Sequence, residues 1–540
     1  MALKFLAWLG LTIQFASADW QFLSRPDLAP PILNITVPAT TQAESGYIFV
    51  APKGQPGADA TSSGPEQPGP HIFRDDGELV WSGVGYYGGY VIDFGAIMLD
   101  GKPALRAFQG SLDPQHVRMN GHHTVLDNMY QTISVVRAAS HRLVSGHEFN
   151  VIDGRTALVE ILVPVPTNLS IYGGDYGQQW VISAGFQEID IQTGQLIFEW
   201  YSLDHVSPEY SAIPLQSEGP YNARSAVSGW HYFMINSVDK DSEGNYLISA
   251  RHYSAIYKLN GTTGEIIWQL GGRHGSDFHI PSNLEFAFQH DARIRYQSPD
   301  GSIERISFLD NANGSPDPSH DTGLVSKARY IELNHTANTV SEIWTYPAPD
   351  GMIANSQGNV QFLPNGNTFV NWGQTGVITE HSENGTILYQ THVDSYPSQN
   401  VHSYRAFRSN WTGISSEEPA VLALRKKEGG LLVCVSWNGD TETKAWQFHL
   451  RENQSGQNVN ILGVQARTGF ETKFEANVNW SLEVLRQYSV VAEALDSTGH
   501  SIGLSRPIRI QDDAPFRAHI DGIQVQAAGR ISVPQERMEL

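Results

Sequence analysis

A short pattern with a chemically capable first residue recurs along the chain. It begins at His147 (HEFNVIDGRTALV), Met234 (MINSVDKDSEGNYLIS), His290 (HDARIRYQSPDGSIERIS) and Asn359 (NVQFLPNGNTFVNW). In each copy an apolar residue follows four positions on (Val151, Val238, Ile294, Leu363), then a Gly turn and another apolar strand. His122-His123 opens a similar run. If the copies are equivalent strands around one centre, His147, Met234, His290 and Asn359 form one layer of a ring.

The same neighbourhoods carry donors and walls for a pocket. His231, Asn236, Arg251, His290, Gln361 and Arg405 are candidate hydrogen-bond donors, and Trp230, Tyr232, Phe233, Met234, Phe288, Trp372 and Tyr404 are candidate walls. Such a set suits a concave site with apolar and aromatic walls and a few convergent donors. A His serves as general acid near neutral pH. The expected catalytic group is therefore His290 with His231 and Arg251. The expected substrate contacts are Trp230, Met234, Asn236, Phe288, Gln361, Trp372, Tyr404 and Arg405.

Plainer roles compete at several positions. Trp230 and Trp372 also fit a core between sheets, and Arg251 and Arg405 fit ion pairs with Asp239 or Asp291. His252 is expected to bond backbone in its turn, and His147-Glu148 to form a structural pair. No cofactor is expected; no H-x-x-x-H pair or tight His/carboxylate cluster appears, and a metal held by single His ligands from separate strands is the alternative.

These side chains need a frame of strands to position them. Hairpins recur at HIFRDDGELVW (ending in Trp81), QEIDIQTGQLIFEW (Trp200), IYKLNGTTGEIIW (Trp268), ARYIELNHTANTVSEIW (Trp344) and ITEHSENGTILY (Tyr389), with HTVLDNMYQTISVV as a weaker copy. Six copies of one plan, almost without helical periodicity, predict an all-β chain, a six-bladed β-propeller over residues 19–412. Residues 52–70 read as a Pro/Gly loop. Alternating runs over 415–511 predict an immunoglobulin-like β-sandwich, and residues 512–540 a tail of little periodicity.

Residues 1–18, with Lys4, the apolar run Phe5 to Phe15 and Ala16-Ser17-Ala18, read as a secretory signal peptide. A secreted or secretory-lumen protein without a membrane anchor is expected. N-glycosylation sequons begin at Asn34, Asn168, Asn260, Asn313, Asn334, Asn384, Asn410, Asn453 and Asn479. Cys434 is the one cysteine, so no internal disulfide forms, and its apolar run marks it as a core thiol. The net charge of −21, with no Lys/Arg stripe, argues against nucleic acid.

The segments QPGPHIFRDDGELVWSG, FQEIDIQTGQLIFEWYSLDHV, NSVDKDSEGNYLISARHYSAIYKLNGTTGEIIWQLGG, FQHDAR, SQGNVQFLPNGN and SYRAFR together resemble the fungal arylsulfotransferase-like propeller family, over roughly residues 68–412. The resemblance implies sulfuryl transfer from an aryl sulfate to a phenol through a channel histidine. His290, in FQHDAR, matches a functional histidine position of that family. The family pattern W-D-Y-F-H-I-N, however, reads Trp230-His231-Tyr232-Phe233-Met234-Ile235-Asn236 here, with a thioether in place of an imidazole. One branch of the family implies another chemistry, the hetero-Diels–Alderases of tropolonic sesquiterpenoid biosynthesis. These join a tropolone o-quinone methide to a humulene-type sesquiterpene and form a dihydropyran ring without a cofactor. That reaction is the leading expectation, with small aromatic or tropolone and terpene substrates. Aryl sulfotransfer and a non-catalytic glycosylated binding propeller are the alternatives.

Overall fold

The computed structural model describes residues 19–54, 65–113, 115, 118–314, 319, 321–393, 401–426, 429–478 and 480–512. The expected signal peptide, Asn479 and the tail beyond Asp512 lie outside the described residues. Among those described, strands dominate, and the one α-helix is the single turn Leu482–Leu485.

Six antiparallel sheets succeed one another, each built from neighbouring hairpins. The first holds Tyr90–Leu99, Lys102–Asp113, Arg118–Asp127 and Thr132–Val136; the second Val144–Ile152, Thr156–Pro166, Trp180–Asp190 and Leu196–Tyr201. The third holds Ile235–Lys240, Tyr246–Ala250, Ala255–Leu259 and Ile266–Gly271; the fourth His290–Gln297, Ile303–Asp310, Lys327–Asn334 and Thr339–Pro347. The fifth runs Asn359–Phe362, Thr368–Asn371, Val377–His381 and Ile387–His392, with Asn34–Val37 on its outer edge. In the sixth, Ala406–Ser409 pairs with Tyr47–Val50, followed by His71–Phe73 and Leu79–Ser82. The fifth and sixth sheets thus join strands from both halves of the chain. The inner strands of successive sheets touch in a closed circuit, the sixth returning to the first.

Five of the expected hairpins are the outer pairs of their sheets, and the sixth, in the fifth sheet, is flanked on its outer side by Asn34–Val37. Their turns show why the sequence repeats. Asp190, Asn260 and Asn334 each accept hydrogen bonds from two backbone N–H groups ahead of them in their own turn. Gly194, Gly264 and Asn338 then take left-handed φ of 70°, 77° and 53°, the conformation that Gly and Asn tolerate best. His122-His123 departs from expectation. Both lie inside the third strand of the first sheet, opposite Gln109 and Phe108, because that sheet's inner strand is Tyr90–Leu99.

Beyond Ser415 two further sheets enclose a separate core. One orders Glu471–Ala476, Leu431–Ser436, Ala420–Arg425 and Gln511–Asp512; the other Asn458–Ala466, Ala445–Glu452, Tyr488–Leu495 and Ser501–Leu504. Val433, Val435, Trp446, Phe448, Phe474 and Val490 fill the space between them. Cys434 is fully buried, and burial pushes its thiol up to about 12. Asn438 clamps Ser82 through both backbone groups, and Tyr130 donates to the Gly439 carbonyl at 2.6 Å, so this unit is bonded to the sixth and first sheets.

At the centre of the circuit lies a buried charge cluster around Arg405. Its Nη1 meets Asp93 of the first sheet at 3.2 Å and Glu148 of the second at 3.0 Å. Its Nη2 donates to the Asn236 carbonyl of the third at 2.9 Å, and its Nε stands 3.7 Å from Asp291 of the fourth. Arg293 bridges Glu148 at 2.7 Å and Asp291 at 2.9 Å, and Arg106 pairs with Asp93. Asp291 accepts the Val360 N–H of the fifth sheet, and Asn359 is bonded through both amide atoms to Ala406. Burial alone would push the Glu148 carboxyl up; Arg293 and Arg405 outweigh it and hold it below its ordinary value. The expectation of an Arg405 ion pair with Asp291 holds, with Asp93 and Glu148 as closer partners.

Two outcomes follow. Arg405→Met leaves Asp93 and Glu148 short of a cation in a dry interior and should cost about 3–5 kcal/mol; urea unfolding measures this, and a loss under about 1 kcal/mol would remove Arg405 from its central place. Second, burial lowers His71 and His381 to about 4 and His123, His231 and His402 to about 3. The unfolded chain therefore binds protons below about pH 6.5 that the folded chain refuses, so stability falls with pH from there towards 4. The urea midpoint should be lower at pH 5 than at pH 7; equal midpoints would contradict it.

Candidate active site

A cavity of about 360 Å³ opens where the inner strands begin. Four residues lining it immediately precede a member of the Arg405 cluster: Ile92 before Asp93, His147 before Glu148 and His290 before Asp291 in three sheets, and Tyr404 before Arg405 just ahead of the sixth. At Asp93 and Asp291 the backbone takes left-handed φ of 56° and 57° and the strand register shifts, so an irregularity in the strand, not plain alternation, accompanies the change from cavity to charge cluster. Met234, Phe288 and Gln357, at or beside the cavity, have left-handed φ of 53°, 55° and 69°. Non-glycine residues rarely adopt this conformation, and such strain concentrates at functional sites.

Three of the four expected ring members, His147, Met234 and His290, line the cavity. Asn359 is buried against Ala406 instead, and Gln357 takes its place in the wall. Apolar walls come from Ile92, Leu112, Met119, Ile213, Pro220 and Met234, and phenols from Tyr90, Tyr221 and Tyr404.

The basic side chains divide by what already satisfies them. His290 Nδ1 lies 2.7 Å from Asn311 Oδ1, while its Nε2 accepts the Gln357 N–H at 3.1 Å. Asn311 spends its amide protons on Ala354 and Gln357 carbonyls, so its Oδ1 is the acceptor and His290 Nδ1 the donor. Both ring nitrogens of His290 are thereby committed, and burial, with Arg251 next, holds the imidazole well below its usual pKa. As the expected lead catalyst it has no free lone pair to offer.

His252 has one. Backbone bonds from Arg251 N to Met234 O (2.8 Å) and from His252 N to Phe233 O (3.0 Å) tie residues 251–252 to 233–234. His252 Nδ1 donates to the His231 carbonyl, a partner 21 residues upstream rather than the following turn. This fixes the tautomer, and Nε2 bears its lone pair in the cavity with no bond to any described residue. Burial, then Arg251 and His231, holds the ring well below 6.5, so it remains unprotonated at neutral pH.

Arg251 is the cavity's unbalanced cation. Its Nη2 donates to the Asn355 carbonyl at 2.9 Å, and the guanidinium stands 5.4 Å from the Phe288 ring centre. No carboxylate pairs with it among the described residues, so neither Asp239 nor Asp291 is its partner. Burial lowers it to about 10, partly opposed by the Tyr221 and Tyr404 phenols. Gly314 makes its position available, since a Cβ there would stand 2.7 Å from Nη2. His147 Nδ1 lies 2.8 Å from Glu160 and 2.7 Å from Ser145 Oγ; Glu160, not Glu148, is its acidic partner.

The remaining expected contacts lie outside the lining. Trp230 is in the core and donates to Ile213 O, and Trp372 is in another and donates to Thr379. Asn236 donates to Gln289 O, and Gln361 joins the fifth and sixth sheets through Arg408. Phe288 stacks behind Arg251, Arg405 is the central ion-pair residue, and His231 acts through its carbonyl with its own ring buried beside His252. For these, interior hydrogen bonds and packing consumed the groups that were to meet substrate. Tyr90, Tyr221 and Gln357 escaped notice because they lie at strand starts or in the long connection before Trp230, where no repeat marks them. Among the described residues no group of three His, Cys, Asp or Glu side chains is arranged for a metal ion.

No curated protein matches the chain. Among solved structures, a protein of unknown function from Bacteroides caccae is 11% identical, covering 68% of this chain and 100% of its own, with a TM-score of 0.36. Hydrazine synthase of Kuenenia stuttgartiensis is 11% identical over 60% of this chain and 73% of its own (TM-score 0.29). The calcium-binding protein regucalcin of Agrobacterium tumefaciens is 11% identical over 65% and 83% (TM-score 0.28). These likenesses are loose. The family comparison is firmer, because the arylsulfotransferase (ASST) family matches residues 95–394, more than half of the chain, including His147, Met234, Arg251, His252 and His290 of the cavity. By that match the chain belongs to the arylsulfotransferase (ASST) family.

Proposed function

We propose that the six sheets are the blades of a β-propeller, that the C-terminal pair is an immunoglobulin-like sandwich, and that the cavity transfers a sulfuryl group between phenols. The observation that carries this reading is the pairing of His252 Nε2, whose lone pair meets no partner among the described residues, with Arg251, a guanidinium that no carboxylate among them balances. A half-hidden cation without an anion is a site for one, and the anionic sulfuryl group of an aryl sulfate fits it. The lone pair of Nε2 attacks the sulfur of an aryl sulfate; the N–S bond forms as the S–O bond to the aryl oxygen breaks, and that electron pair leaves on the phenoxide. The His231 carbonyl, at Nδ1–H, stabilises the positive charge the ring acquires. An acceptor phenolate then attacks sulfur, and the N–S electron pair returns to Nε2. Arg251 holds sulfuryl oxygens throughout, and His147, oriented by Glu160, offers a second contact. In this reading Met234 does not remove the nucleophile, because the imidazole comes from the neighbouring segment.

A second reading is a cofactor-free hetero-Diels–Alder reaction between a tropolone o-quinone methide and a humulene-type sesquiterpene. The apolar half of the lining, Ile92, Leu112, Met119, Ile213, Pro220 and Met234, favours it, with Arg251 and phenol donors for the quinone methide oxygen. We also take the chain to be secreted and glycosylated; Asn168, Asn384, Asn410 and Asn453 are exposed sequon residues.

Incubation with para-nitrophenyl sulfate and a phenol separates the two reactions. Sulfotransfer predicts nitrophenolate release and a sulfated acceptor, abolished in His252→Asn and lowered about a hundredfold or more in kcat/KM by Arg251→Met. The rate should hold between pH 8 and pH 6, because a His252 held below its usual pKa keeps its lone pair there. No release from the wild type would overturn sulfotransfer. Cycloadduct formed faster than in buffer, and unaffected by His252→Asn, would favour the second reading.

A further inference from the structure

The sulfotransfer step leaves one proton unassigned: a weakly acidic phenol must lose it before attacking sulfur. Behind the cavity wall stands a group the mechanism has not used. Lys53, in the short pair Lys53–Gly54 with Val401–His402, is buried, and its Nζ donates to Tyr90 Oη at 2.7 Å. The Nζ lies 4.3 Å from the Tyr90 ring centre and 6.0 Å from that of Tyr404, and both phenols line the cavity. Among the described residues no carboxylate meets it, and the titratable groups facing it are Tyr90, Tyr404 and His402, whose ring nitrogens find no partner among those residues.

This geometry has a direction. Because Lys53 donates to the Tyr90 oxygen, the phenol's own O–H is left for the cavity. Burial also keeps the amine well below the usual lysine range, so it gives up and regains a proton readily. Resting on the sulfotransfer reading, we infer that Tyr90 and Lys53 form the proton relay for the phenol oxygens, with Tyr90 in contact with substrate and Lys53 acting through it. In the donor half-reaction the departing phenoxide takes the Tyr90 proton, and Tyr90 takes one from the Lys53 ammonium, leaving phenol and neutral amine. In the acceptor half-reaction the incoming phenol gives its proton to Tyr90 as Tyr90 returns one to Lys53. The cycle closes with no net proton change, and one relay serves both phenols because they occupy one subsite in turn.

The test uses the full-length protein with Lys53→Met and Tyr90→Phe, the latter keeping the wall ring. Transfer from para-nitrophenyl sulfate is measured to acceptors running from nitrophenols to alkylphenols. The loss in kcat/KM should grow along that series, to about a hundredfold for alkylphenols in both variants. A merely structural change moves all acceptors together, so a uniform loss, or none with alkylphenols, would overturn the relay. If Lys53→Met does not fold by circular dichroism, the Tyr90→Phe series decides alone. Failure of the wild type to transfer at all overturns sulfotransfer and the relay with it, an outcome distinct from an active wild type whose variants lack acceptor dependence.

Discussion

A guanidinium buried among carboxylates from separate sheets sets the geometry of this protein. Arg405 contacts the first, second, third and fourth sheets from the segment that begins the sixth, and Asp291 and Asn359 draw in the fifth. A ring of hairpins has few covalent reasons to adopt one mutual orientation. Apolar packing between sheets is tolerant of small slides, whereas a dry ion network is satisfied in only one arrangement. Buried ion pairs are weak sources of net stability. Their effect here is register: each sheet's inner strand is held at the residue where it meets the cluster.

The cavity inherits that register. His147, His290 and Tyr404 each stand one residue from a member of the network, so the network forms a floor and the preceding side chains form the walls. The contrast between the two central arginines separates structure from chemistry. Arg405 has its charge answered by three carboxylates; among the described residues Arg251, in the same region, meets a carbonyl and a ring face and no carboxylate. The histidines divide likewise. His290 is closed at both nitrogens and braces the Asn311–Gln357 corner, while His252 is held at one and open at the other. An imidazole fixed by one bond is preorganised and still reactive, the condition a nucleophile requires.

Much of the frame could be read along the chain. Turns such as Asp190 to Gly194 and Asn260 to Gly264 are built from contacts within five residues, so their residue types announce them wherever they occur. The first sheet shows the limit. His122-His123 imitates an inner-strand start, but pairing with Gln109 and Phe108 decides its place, and that partner lies a hairpin away.

The amino-acid sequence by itself determined the all-β character, the hairpin repeat, the change of pattern near Ser415 and the equivalence of His147, Met234 and His290 as first residues of the repeated run, because these depend on local turn chemistry and on one pattern recurring along the chain. Only the tertiary structure decided which nitrogen is free, which arginine is unbalanced and which aromatic rings are core. Those outcomes depend on partners such as the His231 carbonyl, Asn311, Asp93 and Glu148, brought in from distant strands. A side chain's type states what it is able to do; whether a lone pair or a charge remains unspent is a property of its neighbours in space.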